Sequence, residues 1–176
     1  MIERVEALAR VLGFECVGHT TADKLRVREE VRDMCAADLC HAYDHNWTCP
    51  PACGSIEEFA EKIAGYGDVV VFETVAEMED EFDYETMMES ADLHKDRMPA
   101  FAEDVRKLAP VCLVLSAGTC TVCPECSYPD APCRFPEKQF VSMEAAGLVV
   151  SDVCVAADIP YNHGKNHIAY VSCVAF

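Results

Sequence analysis

The chain has 176 residues, 51% of them apolar, with twelve cysteines and a formal net charge of −17. That length predicts a single domain spanning residues 1–176, with apolar content enough for a full core without crosslinks. The charge argues against nucleic acid and acidic bilayers as partners, since both present phosphates.

At the N-terminus, Ile2, Val5, Leu8, Ala9 and Leu12 recur at helical spacing and Gly13 ends the pattern. Acidic residues begin at Glu3 and no apolar h-region follows, so the segment does not read as a signal peptide. No apolar run approaches the roughly 18–20 residues of a membrane helix. A cytoplasmic chain is expected, where thiols stay reduced and a disulfide framework is disfavoured.

"FECVGHT" reads as a short strand. Thr21 or Asp23 is positioned to cap a helix through "KLRVREEVRDMC". Residues 35–54, "CAADLCHAYDHNWTCPPACG", break the periodicity and predict an ordered loop. Ser55 then caps a helix with Ile56, Phe59, Ala60 and Ile63 on one face. "DVVVFETV" reads as a buried strand. The acidic stretch from Glu73 to Asp92 reads as a solvated face or as a docking surface for a basic partner. A long helix is predicted over about 84–108, with a break or kink at Pro99. "VCLVLSAG" is a second buried strand, and a cysteine loop leaves its end. Ser142 and Gly147 bracket a short helix, "MEAAG". "LVVSDVCVA" and "IAYVSCVAF" read as two further strands. This order predicts an α/β domain with a mixed, mainly parallel sheet flanked by helices, antiparallel at its C-terminal pair.

Two cysteine groups carry the chemistry. The first is Cys35, Cys40, Cys49 and Cys53, spaced C-x4-C-x8-C-x3-C. The second is Cys120, Cys123, Cys126 and Cys133, spaced C-x2-C-x2-C-x6-C. Each supplies the full thiolate set of one tetrahedral zinc or one cubane cluster. A structural zinc usually takes two separated pairs. Three successive cysteines at x2 intervals crowd one ion, but they can wrap one face of a cubane, as in the bacterial ferredoxin run C-x2-C-x2-C-x3-C-P. Here the fourth cysteine comes later, so the spacing is related and not identical. In the first group His41 and His45 could replace a thiolate, but they read better as hydrogen-bonded to loop backbone. Trp47 and Tyr43 are expected to shield that loop.

Cys16, Cys112, Cys154 and Cys173 fall in predicted strands and read as small buried apolar side chains. His163 and His167 have H-x3-H spacing around Gly164 in a turn, and read as structural. Arg134 and Lys138 are the positive charges beside the second group and could hold an anion.

The pairing of "VRDMCAADLCHAYDHNWTCPPACGS" with "LSAGTCTVCPECSYPDAPCRFPEKQFVSMEAAGLVV" resembles a family of predicted metal-binding proteins from bacteria and archaea, a domain of unknown function. The resemblance implies cysteine-ligated metal, iron–sulfur before zinc, and supplies no substrate or reaction. Thiolate-ligated clusters in a small domain mainly move charge, so the expected function is two 4Fe–4S clusters serving electron transfer to, or redox support of, a protein redox partner. The alternatives are a zinc-stabilised interaction module, or an iron–sulfur enzyme with an open iron.

Overall fold

The computed structural model describes residues 1–176. Helix α1 (Ile2–Val11) buries Val5 and Ala9, and strand β1 (Cys16–Thr21) follows. Helices α2 (Glu29–Ala36) and α3 (Ile56–Ala64) bracket the first cysteine loop. Strand β2 (Asp68–Glu77) leads into α4 (Tyr84–Leu108), and β3 (Leu113–Leu115) leads into the second cysteine loop. Helix α5 (Val150–Ala156) and strand β4 (His167–Ala175) complete the order.

The sheet is four-stranded in the order β1-β2-β4-β3, and every neighbouring pair is antiparallel. This corrects the expectation of a mainly parallel sheet. Strands β2 and β3 do run the same way and are joined by a helical crossover. However, β4 inserts between them, antiparallel to both. The unbroken run Val69–Phe72 is apolar because both faces of the sheet are covered, not because the strand has parallel neighbours. On one face Val70, Phe72 and Val174 pack against α1 and α4. On the other, Val69, Val71 and Cys173 pack against α3, α5 and the segment around Met143 and Leu148.

Three further expectations change. "LVVSDVCVA" is not a strand: α5 occupies it, with Val153 and Cys154 buried and Val155 76% exposed. A short run of valines cannot be told from a strand by periodicity alone. "MEAAG" is a turn and not a helix. Ser142 Oγ still accepts from Ala145 N at 3.0 Å, and Gly147 takes φ +85°. Helix α4 continues through Pro99 as one element. Pro in a helix costs about 3 kcal/mol. Burying Met98, Phe101 and Val105 returns about 1.5–3 kcal/mol each, so packing wins. Neither Thr21 nor Asp23 caps α2, which begins after Arg28. By contrast, Ser55 and Glu58 form the reciprocal capping box that opens α3.

One buried group ties stability to pH. His94, on α4, is fully buried between Thr74 Oγ1 (2.9 Å from Nδ1) and Ser172 Oγ (2.6 Å from Nε2). Burial, then the charges of Arg97 and Lys95, lowers its pKa from 6.5 to about 3. In the unfolded chain this imidazole takes a proton below about 6.5. The stabilisation is therefore complete above that pH and is lost as pH falls towards 3, at up to about 1.4 kcal/mol per unit. Denaturant midpoints measured from pH 7 to 4 should fall, and the fall should be shallower in His94→Gln.

Candidate metal centre

The second cysteine loop is launched by β3. Ser116 bridges to the 141–143 segment, donating from N to Val141 O (2.9 Å) and accepting from Met143 N (2.9 Å). Gly118 then turns the chain with φ +64°, a conformation that side chains disfavour. Beyond it Cys120, Cys123, Cys126 and Cys133 line one cavity together with Thr48, Trp47 and Arg134. Burial raises Cys120, the Val122 amide opposes this, and negative charge on Cys133, Cys126 and Cys123 adds to the rise.

The first group gathers similarly. Cys35 sits in the last turn of α2, and Cys40, Cys49 and Cys53 follow in the loop. Burial raises Cys35, Cys49 and Cys53; the charges of Glu144, Cys40 and Cys49 raise Cys35 further, and those of Cys49 and Cys35 raise Cys53. Arg32 pulls Cys35 and Cys53 down. Its guanidinium is fixed by donation to Ala145 O (2.7 Å) and Gly54 O (2.9 Å). This cation is one that the sequence reading did not single out. The loop itself is ordered: Asp38, His41 and Asp44 all take positive φ, and Asp38 Oδ1 accepts from Tyr43 N at 2.9 Å. Left-handed non-glycine residues at this density mark a backbone held by its surroundings.

The two loops are stitched into one body. Asn46 Nδ2 donates to Cys120 O (3.3 Å), and Cys120 N donates to Thr48 Oγ1 (3.3 Å). Cys49 Sγ lies 3.3 Å from Thr119 Oγ1, and its thiol also senses Cys126. Trp47 donates to Ala131 O at 3.1 Å and packs edge-on against Tyr128, whose hydroxyl donates to Asp44. Trp47 therefore covers the second group as well as its own. A cavity of about 770 Å³ opens beside them, with Cys53 and Cys133 both on its wall.

All twelve cysteines are free thiols. No three of the eight loop thiols lie within 4.8 Å of one another. Around one zinc ion, with Zn–S near 2.3 Å, thiolates sit about 3.8 Å apart. A cubane binds its thiolates at four separate corners and holds them wider apart. The only buried side-chain oxygens lacking a hydrogen-bond partner are Gln139 Oε1, beside the second group, and Glu144 Oε2, beside the first. The residues thus fit two adjacent thiolate sites whose polar shells the chain alone does not complete.

Other candidates resolve differently. His45 Nδ1 contacts its own loop at Tyr43 O (2.6 Å), as expected. Arg134 donates to Glu125 O (2.9 Å), closing its loop, and the Lys138 ammonium lies over the Phe135 ring. Cys173 is in β4, Cys112 immediately precedes β3, and Cys154 is on α5 and not on a strand. His163 and His167 diverge. His167 Nδ1 meets Lys165 O (2.9 Å), whereas His163 Nε2 donates to Glu73 Oε2 at 2.8 Å. Glu73, counted with the acidic stretch, is fully buried, while Glu77, Glu79, Asp80 and Glu81 are exposed.

No helix is long and apolar enough to cross a membrane. Comparison with curated proteins and with solved structures gives no significant match. Residues 19–176, which include both cysteine groups, match the family described as predicted metal-binding protein (DUF2284). The match covers most of the chain, which therefore belongs to that family of predicted metal-binding proteins.

Proposed function

We propose that Cys120, Cys123, Cys126 and Cys133 hold one 4Fe–4S cluster, that Cys35, Cys40, Cys49 and Cys53 hold a second, and that the protein exchanges single electrons with a protein partner. The observation that carries this reading is that Cys120, Cys123 and Cys126, in the C-x2-C-x2-C spacing that suits a cubane, line one cavity together with Cys133. Such clusters supply one-electron exchange at potentials tuned by their protein surroundings.

The chain's own residues would do the tuning. The Thr119 hydroxyl at Cys49 and the Val122 amide at Cys120 bring dipoles to ligating sulfurs, which favours reduction. Arg32 acts in the same direction on Cys35 and Cys53. The net charge of −17 opposes them. Trp47 and Tyr128 limit water access from one side. Strands β2 and β3 share a direction, but β3 ends level with Val71, so β2 runs six residues further, to Glu77, before the exposed acids Glu79, Asp80 and Glu81 follow it. A partner with a basic face would be steered to those acids.

The test is anaerobic purification with iron, zinc and sulfide analysis and a visible spectrum. Equal iron and sulfide, with broad absorbance at about 400 nm that bleaches on reduction, is expected. A colourless protein containing zinc and no acid-labile sulfide would replace this reading with a zinc-stabilised interaction module.

A further inference from the structure

We propose that Cys16, Glu73 and His163 form a separate site for a single divalent cation of the zinc class. One thiol sulfur, one carboxylate oxygen and one imidazole nitrogen lie within 4.8 Å of one another there. No other three His, Cys, Asp or Glu side chains in the chain gather so closely.

The fold builds this cluster from three distant places. Cys16 and Glu73 are directly opposed partners in the β1–β2 ladder, so their side chains project from the same face. That face is the one covered by α5, which contributes Cys154, its Sγ 3.5 Å from Glu73 Oε1. The close approach is permitted by Gly18, where a Cβ would stand 2.2 Å from Ala157 O just past α5. The turn between α5 and β4 then brings His163 back over the pair.

Glu73 is the reason to expect a cation. It has no solvent exposure, and no lysine or arginine pairs with it. Its partners are one imidazole and thiols, and thiols are weak hydrogen-bond donors. A buried carboxylate compensated so thinly is costly, and a metal ion compensates it fully. Thiolate, imidazole and carboxylate together suit zinc, whereas calcium and magnesium take oxygen ligands. With a single thiol among the three donors, the site cannot anchor a cubane. Cys154 would hold the carboxylate from behind, as outer partners of metal ligands do. Three protein ligands leave a fourth position for water or a small anion, the arrangement of zinc sites that bind exchangeable ligands. Cys16 lies outside the span matched to the family, so the site is not a restatement of the two cysteine loops.

The test is native mass spectrometry of the whole protein, prepared anaerobically and titrated with Zn²⁺, comparing wild type with His163→Ala and Cys16→Ser. Wild type should bind one zinc more than either variant, with iron and sulfide content equal in all three. Co²⁺ in place of Zn²⁺ should give a visible band in wild type that both variants lack. Cys16→Ser changes one atom at a partly exposed position, so folding loss in His163→Ala would still leave a readable comparison. Equal zinc uptake by wild type and Cys16→Ser overturns the site. The comparison is independent of what the loops hold, because metal in the loops is common to all three proteins.

Discussion

Replacing Cys126 with alanine should remove roughly half of the iron and sulfide from the anaerobic protein, one cluster of two. Cys126 is the last of the closely spaced triple and lines the cavity shared with Cys120, Cys123 and Cys133. A cubane missing one thiolate has an exposed iron corner and degrades readily. The loss should exceed that from a change outside the groups. Cys112→Ala is the matched control, since that thiol is half-buried on the neighbouring cavity wall but belongs to neither set. Loss of all the iron in Cys126→Ala would show that the laced loops behave as one unit, which the Cys49–Thr119 contact would explain. Unchanged iron would exclude Cys126 as a ligand.

Phe72→Ala should cost about 3–5 kcal/mol of stability. Phe72 is fully buried on β2, paired to Val17 on one side and Ser172 on the other. Its ring lies 4.6 Å from Phe14 and 4.4 Å from Phe101. Truncation opens a cavity between the sheet and α4, where neighbouring strands cannot collapse into it without breaking register. Chemical denaturation at fixed metal content would measure it. Val111→Ala, at a side chain 78% exposed, should change stability by less than about 0.5 kcal/mol.

The sequence showed some of this plainly and hid the rest for identifiable reasons. The bounds of α4 were readable because its apolar positions repeat with helical period over seven turns. Ser55 announced α3 because a capping box is a local device. The eight candidate ligands were readable because each group is contiguous in the chain. The order of the sheet was not, since nothing local to β4 records that it slips between β2 and β3. The valines of α5 hid its helix, because a strand former on a short segment yields to the face it must bury. Glu73 and His163 stand 90 positions apart, and only strand register and the turn after α5 bring them together. Glu73 also sat among a run of acids that reads as solvent-facing, and its neighbours are indeed exposed.

The placement of β4 has a consequence for biosynthesis. It is the last of the four strands to leave the ribosome, yet β3 has no other strand to pair with. Until residues 167–175 emerge, β3 has no neighbour in the sheet, and the loop it launches has no fixed base. The four thiols of the second loop are therefore translated before the strand that anchors their loop. On the cluster assignment proposed above, loading belongs after residues 167–175 have emerged, with the thiols kept reduced until then.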